Sequence, residues 1–301
     1  MTKKNTSMDI QNLKAFLLVA ESGSFSNAAK KLHLTQPAVS KRIAQLEEQL
    51  NVNLFDRIGR TVNTTEAGQA LLPHARAVQL ELQAAQQSVR DLSGEVRGRL
   101  RLATSHHIGL HRLPPLLSFF SKAFPAVKLD IDFMDSEQAY ELTLQGEVEL
   151  AVVTLAPSSV SNIVARPIWL DPLDFMVQQG TELTRKKTLG LKTLSEHPAI
   201  LPGLNTYTGQ IVKRLFERHN LPMQTAITTN YLETIRMMAS VGLGWTVLPR
   251  SMRDPSLATL PVRDAHIERT LGAVHHEGRT LSRAAQAFIE ALESLASNAA
   301  G

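Results

Sequence analysis

Apolar residues recur every three or four positions along the first fifty residues of the chain. Side chains at this spacing lie on one face of an α-helix. The residues that carry the pattern are Leu13, Phe16, Leu17 and Ala20, then Ala28, Ala29 and Leu32, and then Val39, Ile43 and Leu46. The pattern predicts three packed amphipathic helices, of which the second and third form a helix-turn-helix over residues 25–44.

The third predicted helix carries hydrogen-bonding side chains opposite its apolar face. Thr35 is a suitable N-cap, and Pro37 is tolerated in the first turn because an N–H there has no helical partner. The polar residues of the exposed face are Gln36, Ser40, Lys41 and Arg42. A helix with an apolar back and a donor-rich front is suited to the major groove of DNA. The alternative is an ordinary helical hairpin with a solvated polar face.

The stretch 54–68 predicts a short β-hairpin directly after these helices. Gly59 is expected at its turn, with Arg57 and Arg60 beside it. Such a wing can lay arginines along phosphates or into a minor groove. A third helix before the pair and a wing after it favour a DNA-binding module over the plain hairpin.

The run from Met8 to about Gly68 resembles the winged helix-turn-helix of the LysR-type transcriptional regulators. The matching stretches are LKAFLLVAESGSFSNAAKKLHLTQPAVSKRIAQLEEQL, LFDR and TEAG. We therefore expect a winged helix-turn-helix domain over residues 8–65 that binds double-stranded DNA. The residues expected to face base edges are Gln36, Pro37, Ser40 and Arg42. Those expected to hold phosphates or the minor groove are Ser26, Thr35, Lys41, Arg57 and Arg60.

The segment 66–98 predicts a long linker helix, because it is rich in Ala, Gln, Glu and Leu. Its apolar residues alternate spacings of four and three, which is a heptad seam. The seam consists of Leu71, Ala75, Val78, Leu82, Ala85, Val89 and Leu92. Pro73 should bend the helix near its start, and Gly94 and Gly98 allow a hinge at its end. The seam favours a homodimer, and the alternative is one amphipathic helix docked on its own domain.

Residues 99–301 alternate strand-like and helix-like runs, which predicts a doubly wound α/β domain. Two similar sets of elements predict two lobes, lobe I over 99–165 and 267–301 and lobe II over 166–266. The chain would cross between them near 165–166 and 262–266. This architecture is similar to the LysR-type effector-binding domain, which is related in shape to solute-binding proteins.

Ligands of open α/β sheets collect where strands end and the next helices begin. The polar residues at these ends are Thr104, Ser105, His106, Asp135, Ser136, Thr154, Asn205, Thr206 and Asn230. Free N–H groups and hydroxyls there suit a small anion, most often a carboxylate. Asp135 opposes a simple anion site or adds a donor requirement. The alternative is that these short polar residues are ordinary helix caps.

His106, His107 and His111 form the pattern H-H-x-x-x-H, and the last two would share a helix face. That spacing can bind a metal, but no cysteine or H-E-x-x-H pattern supports it. We expect no metal site. His106 is expected to point into the cleft as a donor, and the other two to lie at the surface or at a subunit contact.

Charge is unevenly distributed along the chain. The chain has 32 Lys/Arg and 28 Asp/Glu, a net of +4. Residues 1–65 hold nine of the basic and five of the acidic residues, so residues 66–301 hold 32 − 9 = 23 and 28 − 5 = 23. The whole excess lies in the predicted DNA-binding part. The absence of cysteine excludes disulfides and thiolate metal sites. The sequence has no run typical of a signal peptide or of a membrane span. We therefore expect a soluble cytoplasmic protein without membrane association.

These features favour a transcriptional regulator controlled by a small-molecule effector, acting as a homodimer and, through a second interface, as a homotetramer. No other cofactor is expected. An effector-independent or metal-responsive regulator of the same family is the alternative. A solute-binding transport component is opposed by the basic N-terminal module. An enzyme is opposed by the lack of a G-x-S-x-G, P-loop or paired-carboxylate motif.

Overall fold

The protein is described by a computed structural model over residues 8–58, 61–91, 95–263 and 265–300. The chain divides into two compact units, one ending at Val89 and the other beginning at Arg90. The division falls inside the predicted linker 66–98, and the finer domain boundaries stay predictions.

Three helices form the core of the N-terminal unit, as predicted. They are α1 (Ile10–Ser22), α2 (Phe25–Leu32) and α3 (Gln36–Leu50). Their buried apolar residues include Phe16, Ala28, Ala29, Val39, Ile43 and Leu46. Ser24 caps α2 by accepting the N–H of Asn27, and α1 ends at Gly23, whose φ of 58° favours glycine. The helix-turn-helix thus follows from local capping and one shared apolar face.

The wing consists of β1 (Phe55–Ile58) paired antiparallel with β2 (Thr61–Thr64). The start of the wing is held against α3 by Glu47, whose Oε1 accepts hydrogen bonds from the N–H groups of Leu54 and Phe55 at 2.7 and 3.3 Å. The predicted hairpin is therefore confirmed, whereas its turn residue Gly59 lies outside the described residues.

The linker helix is α4 (Glu66–Asp91), with Pro73 inside it. The first seam residues, Leu71 and Ala75, pack against the core of their own unit. Val78 and Val89 are 40% and 70% exposed. The seam is therefore divided: its first residues pack against their own unit, whereas Val78 and Val89 are exposed and Leu82 is half-buried. Leu92 and Gly94 lie outside the described residues.

A mixed sheet with helices on its faces forms the C-terminal unit. Its strands are β3 (Gly98–Thr104), β4 (Val127–Phe133), β5 (Leu150–Thr154), β6 (Ile163–Gln178), β7 (Ala199–Leu201), β8 (Thr225–Thr228), β9 (Trp245–Pro249), β10 (Leu257–Thr259) and β11 (Ile267–His276). Its α-helices are α5 (His106–His111), α6 (Pro114–Ala123), α7 (Ser136–Leu144), α8 (Leu191–Ser195), α9 (Tyr207–Arg218), α10 (Leu232–Ser240) and α11 (Arg283–Ala300). The strand order is β4-β3-β5-β11-β6-β9-β7-β8, with β10 on β6.

Each lobe has a parallel half-sheet and its own core. Strands β3, β4 and β5 are parallel in lobe I, and β7, β8 and β9 are parallel in lobe II. Phe120 and Phe288 pack in the lobe I core, and Phe216 and Trp245 in that of lobe II. The predicted two-lobed α/β architecture is confirmed. None of the described helices combines the length and apolarity that a membrane crossing requires.

The two lobes are joined by β6 and β11, which pair antiparallel along most of their length. Strand β6 pairs with β9 of lobe II from Leu173 onward, and β11 pairs with β5 of lobe I from Leu271 onward. Both strands continue unbroken from one lobe to the other, so no change of pattern marks the crossing. The predicted crossings near 165–166 and 262–266 stay predictions.

Candidate functional sites

The front of α3 carries the residues predicted to read DNA bases. Gln36, Pro37 and Lys41 are exposed, and Gln36 Nε2 donates to Ser40 Oγ at 3.3 Å. Arg42 lies on the opposite flank, with Nη1 3.5 Å from Oε1 of Gln11 at the start of α1. The predicted donors therefore do not form one row, because a helix turns about 100° per residue.

The residues predicted to hold the DNA backbone surround this helix. Ser26 is exposed in the first turn of α2, and Thr35 is the exposed N-cap of α3, where its side chain makes no capping bond. In the wing, the backbone of Arg57 pairs with that of Val62. Arg60 lies outside the described residues. The structure thus gathers Ser26, Thr35 and the α3 front on one small unit.

The second candidate site is a cleft between the two lobes, with a cavity of about 50 Å³. Most of the predicted effector residues line it: Ser105, His106, Asp135, Ser136, Thr154, Thr206 and Asn230. The topology explains why they meet. Strand ends of both lobes face one another across the crossing strands, as expected for open α/β sheets.

Two predicted positions do not line this cavity. Thr104 is buried within the sheet, where its hydroxyl donates to the Val152 carbonyl at 2.8 Å. Its hydroxyl is therefore bound to the neighbouring strand β5 and is not available to a ligand. Asn205 is exposed in the turn before α9. Thr206, the next residue, caps that helix by accepting the N–H of Gly209 and is the one that faces the cleft.

Hydrogen bonds between side chains or backbone groups of lobe I and lobe II close the cleft. Asn230 Nδ2 donates to Asp135 Oδ2 at 2.6 Å. The Glu137 carboxylate accepts the backbone N–H of Tyr207, in the first turn of α9. Burial raises the pKa of Glu137, although the bond from Tyr207 opposes the shift. A carboxylate of the protein thus occupies a helix N-terminus, a position that favours anions.

A buried arginine that the sequence analysis missed forms part of the cleft wall. Arg269 Nε donates to Asp171 Oδ2 at 2.9 Å, and Nη1 donates to Thr208 Oγ1 at 3.0 Å. Its Nη2 is buried without a hydrogen-bond partner, and burial lowers the pKa of this guanidinium. Arg112 Nη2 donates to the same carboxylate at 3.2 Å. Two guanidinium groups therefore share one carboxylate.

A sequence signal for Arg269 exists but was not used. Arg269 alternates with Ile267 and Leu271 along β11, and all three are buried. A charged residue on the inward face of a strand requires a buried partner. Since the crossing was expected before residue 267, the functional meaning of this position was missed.

The histidines on α5 lie differently from the expectation. His106 lines the cleft and packs against the Tyr231 ring at 4.6 Å between centroids. His107 is buried and not at the surface, because the first turn of α5 faces the cleft wall. Burial, and then the nearby charge of Arg269, lowers the pKa of His107 to about 3. His111 remains partly exposed, with Nε2 2.8 Å from Oε1 of Glu233 in lobe II.

A winged helix-turn-helix, a long helix and a two-lobed ligand domain together define a class of ligand-binding transcription regulators. Residues 10–69 match the family model described as the bacterial regulatory helix-turn-helix protein, lysR family. Residues 93–297 match the LysR substrate binding domain. The chain belongs to the LysR family of DNA-binding transcription regulators. Members of this family are regulators and not enzymes.

Individual proteins agree with this assignment. The chain is 30% identical to the RuBisCO operon transcriptional regulator of Acidithiobacillus ferrooxidans over 288 residues, covering 94% of the chain and 93% of the relative. Its fold resembles full-length CbnR crystallised with its target DNA, with a TM-score of 0.58, 22% identity and coverage of 95% and 99%. It also resembles the QuiR effector binding domain with shikimate, with a TM-score of 0.61, 15% identity and coverage of 67% and 98%.

Proposed function

We propose that this LysR-family regulator binds a small anionic effector in its inter-lobe cleft, and that the effector controls operator binding or DNA bending. The observation that carries the proposal is Arg269. Its guanidinium is 5% exposed and keeps one N–H group without a partner in the cleft wall. Buried polar groups in native proteins are nearly always hydrogen-bonded, so this donor favours a ligand oxygen.

The charges next to Arg269 favour an anion, whereas Asp135 and Glu137 elsewhere in the lining oppose one. Asp171 is the carboxylate that both Arg112 and Arg269 contact, which leaves one positive charge in excess among these three residues. The hydroxyls of Ser105, Ser136 and Thr154 lie in the same wall as further hydrogen-bonding groups. Shikimate, which the QuiR domain holds, is a carboxylate of the chemistry proposed here.

The cross-lobe bonds that Asn230 and Tyr207 donate give the effector a structural change to control. A cavity of about 50 Å³ is close to the volume of a water molecule or two, so a metabolite requires the lobes to separate. An anion at the start of α9 would compete with the Glu137 carboxylate. The effector shifts the arrangement of the lobes only by as much as its affinities for the two arrangements differ.

On the DNA side, the proposal assigns base contacts to Gln36, Pro37 and Ser40. Lys41, Ser26 and Thr35 hold phosphates, with Arg57 and Arg60 of the wing. Arg42 is proposed as a base contact at the edge of this surface, since it lies toward α1 and not beside Gln36. Two observations support these assignments: the polar face of α3 is exposed, and its sequence matches the helix-turn-helix of the lysR family.

The proposal includes a homodimer formed through α4 and, through a second interface, a tetramer. A groove of about 300 Å³ runs between α1 and α4, lined by Leu13, Leu17, Val78 and Leu82 among others. The apolar lining and the exposed Val89 suit the α4 helix of a second copy. Two winged modules would then meet two half-sites on DNA. Sedimentation of the full chain measures its oligomeric state. The proposal also includes a cytoplasmic location.

The anion assignment is tested by Arg269→Lys in the full chain. Lysine keeps the charge but lacks the fork that contacts Asp171, Thr208 and a ligand together. Thermal shift against a panel of small carboxylates first finds an effector for the parent protein. The variant should lose at least tenfold in effector affinity and keep operator binding without effector. The matched control is Arg166→Lys, since Arg166 forms an exposed pair with Glu293.

Two results would contradict the proposal. One is a parent protein whose melting temperature no carboxylate raises, which would favour the effector-independent alternative. The other is an Arg269→Lys variant with parental effector affinity, which would place the anion elsewhere.

A further inference from the structure

Three metal-ligating side chains meet beside the cleft. His107 and His111 lie on α5 of lobe I, and Glu233 lies in the first turn of α10 of lobe II. Their candidate ligand atoms all lie within 4.8 Å of one another. We infer that His107, His111 and Glu233 form a binding site for a divalent transition metal that bridges the two lobes. This site goes beyond the anionic effector proposed above.

Two of the three separations, those to Glu233, are close to the separations of ligand atoms in a metal site, and all three are within 4.8 Å. His111 Nε2 lies 2.8 Å from Glu233 Oε1, and His107 Nδ1 lies 3.8 Å from the same oxygen. In a tetrahedral site with bonds of about 2.0–2.1 Å, ligand atoms are about 3.3 Å apart. Both separations are within about half an ångström of that value. The spacing of four residues on α5 presents both rings on one face, with centroids 4.8 Å apart.

The state of His107 is the second, independent observation. Its side chain is 4% exposed, and neither ring nitrogen has a hydrogen-bond partner. Buried histidine nitrogens normally find a donor or an acceptor, because an unsatisfied polar group in the interior is costly. One free nitrogen faces Glu233. A buried imidazole that lacks partners and faces a histidine and a carboxylate is typical of a metal ligand.

The surrounding charges select the kind of cation. Arg112 and Arg269 lie close enough to His107 to oppose a cation. Asp171 contacts both guanidinium groups and Glu233 adds a second carboxylate, so the cluster is neutral before a metal enters. Imidazole ligands suit zinc, nickel, copper and iron, whereas calcium and magnesium prefer oxygen. A transition metal therefore fits this site, and a hard cation does not.

A metal held by both lobes would also act on the cleft. Its ligands span lobe I and lobe II, so binding favours the arrangement in which α5 and α10 are close. A cation here would add positive charge near Arg269, which attracts an anion, but by holding the lobes together it would oppose the separation that the effector requires. Because coupling between two sites is reciprocal, the effector would change metal affinity by the same factor and in the same direction as the metal changes effector affinity.

The test uses the full chain after treatment with EDTA and dialysis, with zinc chloride as the probe. Isothermal titration should give one zinc per chain. His111→Ala and Glu233→Gln should each weaken zinc binding at least tenfold. Cobalt(II) in place of zinc should give a visible absorption band that both variants reduce. These two variants are preferred to a change of His107, because a partly exposed side chain can be replaced with less risk to folding.

The matched control is the exposed pair of His266 and Glu268, whose side chains lie 3.3 Å apart. His266→Ala and Glu268→Gln should leave zinc affinity unchanged. The inference is overturned if the parent protein binds no stoichiometric zinc. It is also overturned if His111→Ala keeps parental affinity, or if His266→Ala weakens binding as much as His111→Ala does. Carboxylate thermal shifts in EDTA test the anionic effector separately, so either idea can fail alone.

Discussion

The two functional surfaces of this protein are assembled in opposite ways. The DNA-contacting surface comes from neighbours in sequence, Gln36 to Arg42, displayed by one helix. The cleft brings Ser105, Asn230 and Arg269 together from three distant parts of the chain. A surface of the first kind depends on helix periodicity and capping. A site of the second kind depends on where the strands cross between the lobes. Which charged side chains meet in it is therefore decided by the tertiary structure.

The largest expected effect tests the dependence of the cleft on its shared carboxylate. Asp171→Asn leaves two guanidinium groups without their counter-charge, and removing one partner of a buried pair costs about 3–5 kcal/mol. The melting temperature of the C-terminal unit should fall markedly. A carboxylate effector should raise the melting temperature more in this variant than in the parent, because the arginines lack their internal anion. Differential scanning fluorimetry measures both, and an unchanged melting temperature would show that the pair matters little.

An effect of intermediate size tests the DNA-contacting surface of α3. Gln36→Ala should change the preference among operator sequences by about 1–3 kcal/mol for each lost base contact. Lys41→Ala is the matched comparison on the same helix. It should weaken binding to all sequences alike and reduce the salt slope by about one. Fluorescence anisotropy with specific and random duplexes separates the two, and equal loss on both duplexes for Gln36→Ala would show that it reads no base.

The smallest expected effect concerns Glu137 at the cleft. Its folded-state pKa is raised above the ordinary value of 4.5 by burial, so the folded state holds this proton to higher pH than the unfolded state. Stability from this group is present below pH 4.5 and is lost as pH rises through the folded pKa. Glu137→Gln should therefore raise the melting temperature at pH 7 more than at pH 4. Glu141→Gln, an exposed change on the same helix, is the control; equal shifts at both pH values would count against the assignment.

The sequence-based prediction describes the DNA-binding unit better than the inter-lobe cleft, which is built from distant parts of the chain. Helices α1 to α3 and the wing follow from capping, turn residues and a single apolar face, which are local properties. The crossings have no local mark in the sequence, because β6 and β11 run through both lobes. His107 was expected at the surface or at a subunit contact, although the cleft wall buries it, and Thr104 was expected to contact the effector, although its hydroxyl donates to the Val152 carbonyl.

The sequence by itself determined the family, the winged helix-turn-helix and the order of strands and helices in the ligand domain. Periodicity and motif spacing carry that information within short windows. Only the tertiary structure decided that Arg269 keeps a free donor beside Asp171, and that His111 of one lobe meets Glu233 of the other. The reason is physical, since burial and charge pairing depend on contacts between residues that are 98 positions apart in the first pair and 122 in the second, which no local pattern records.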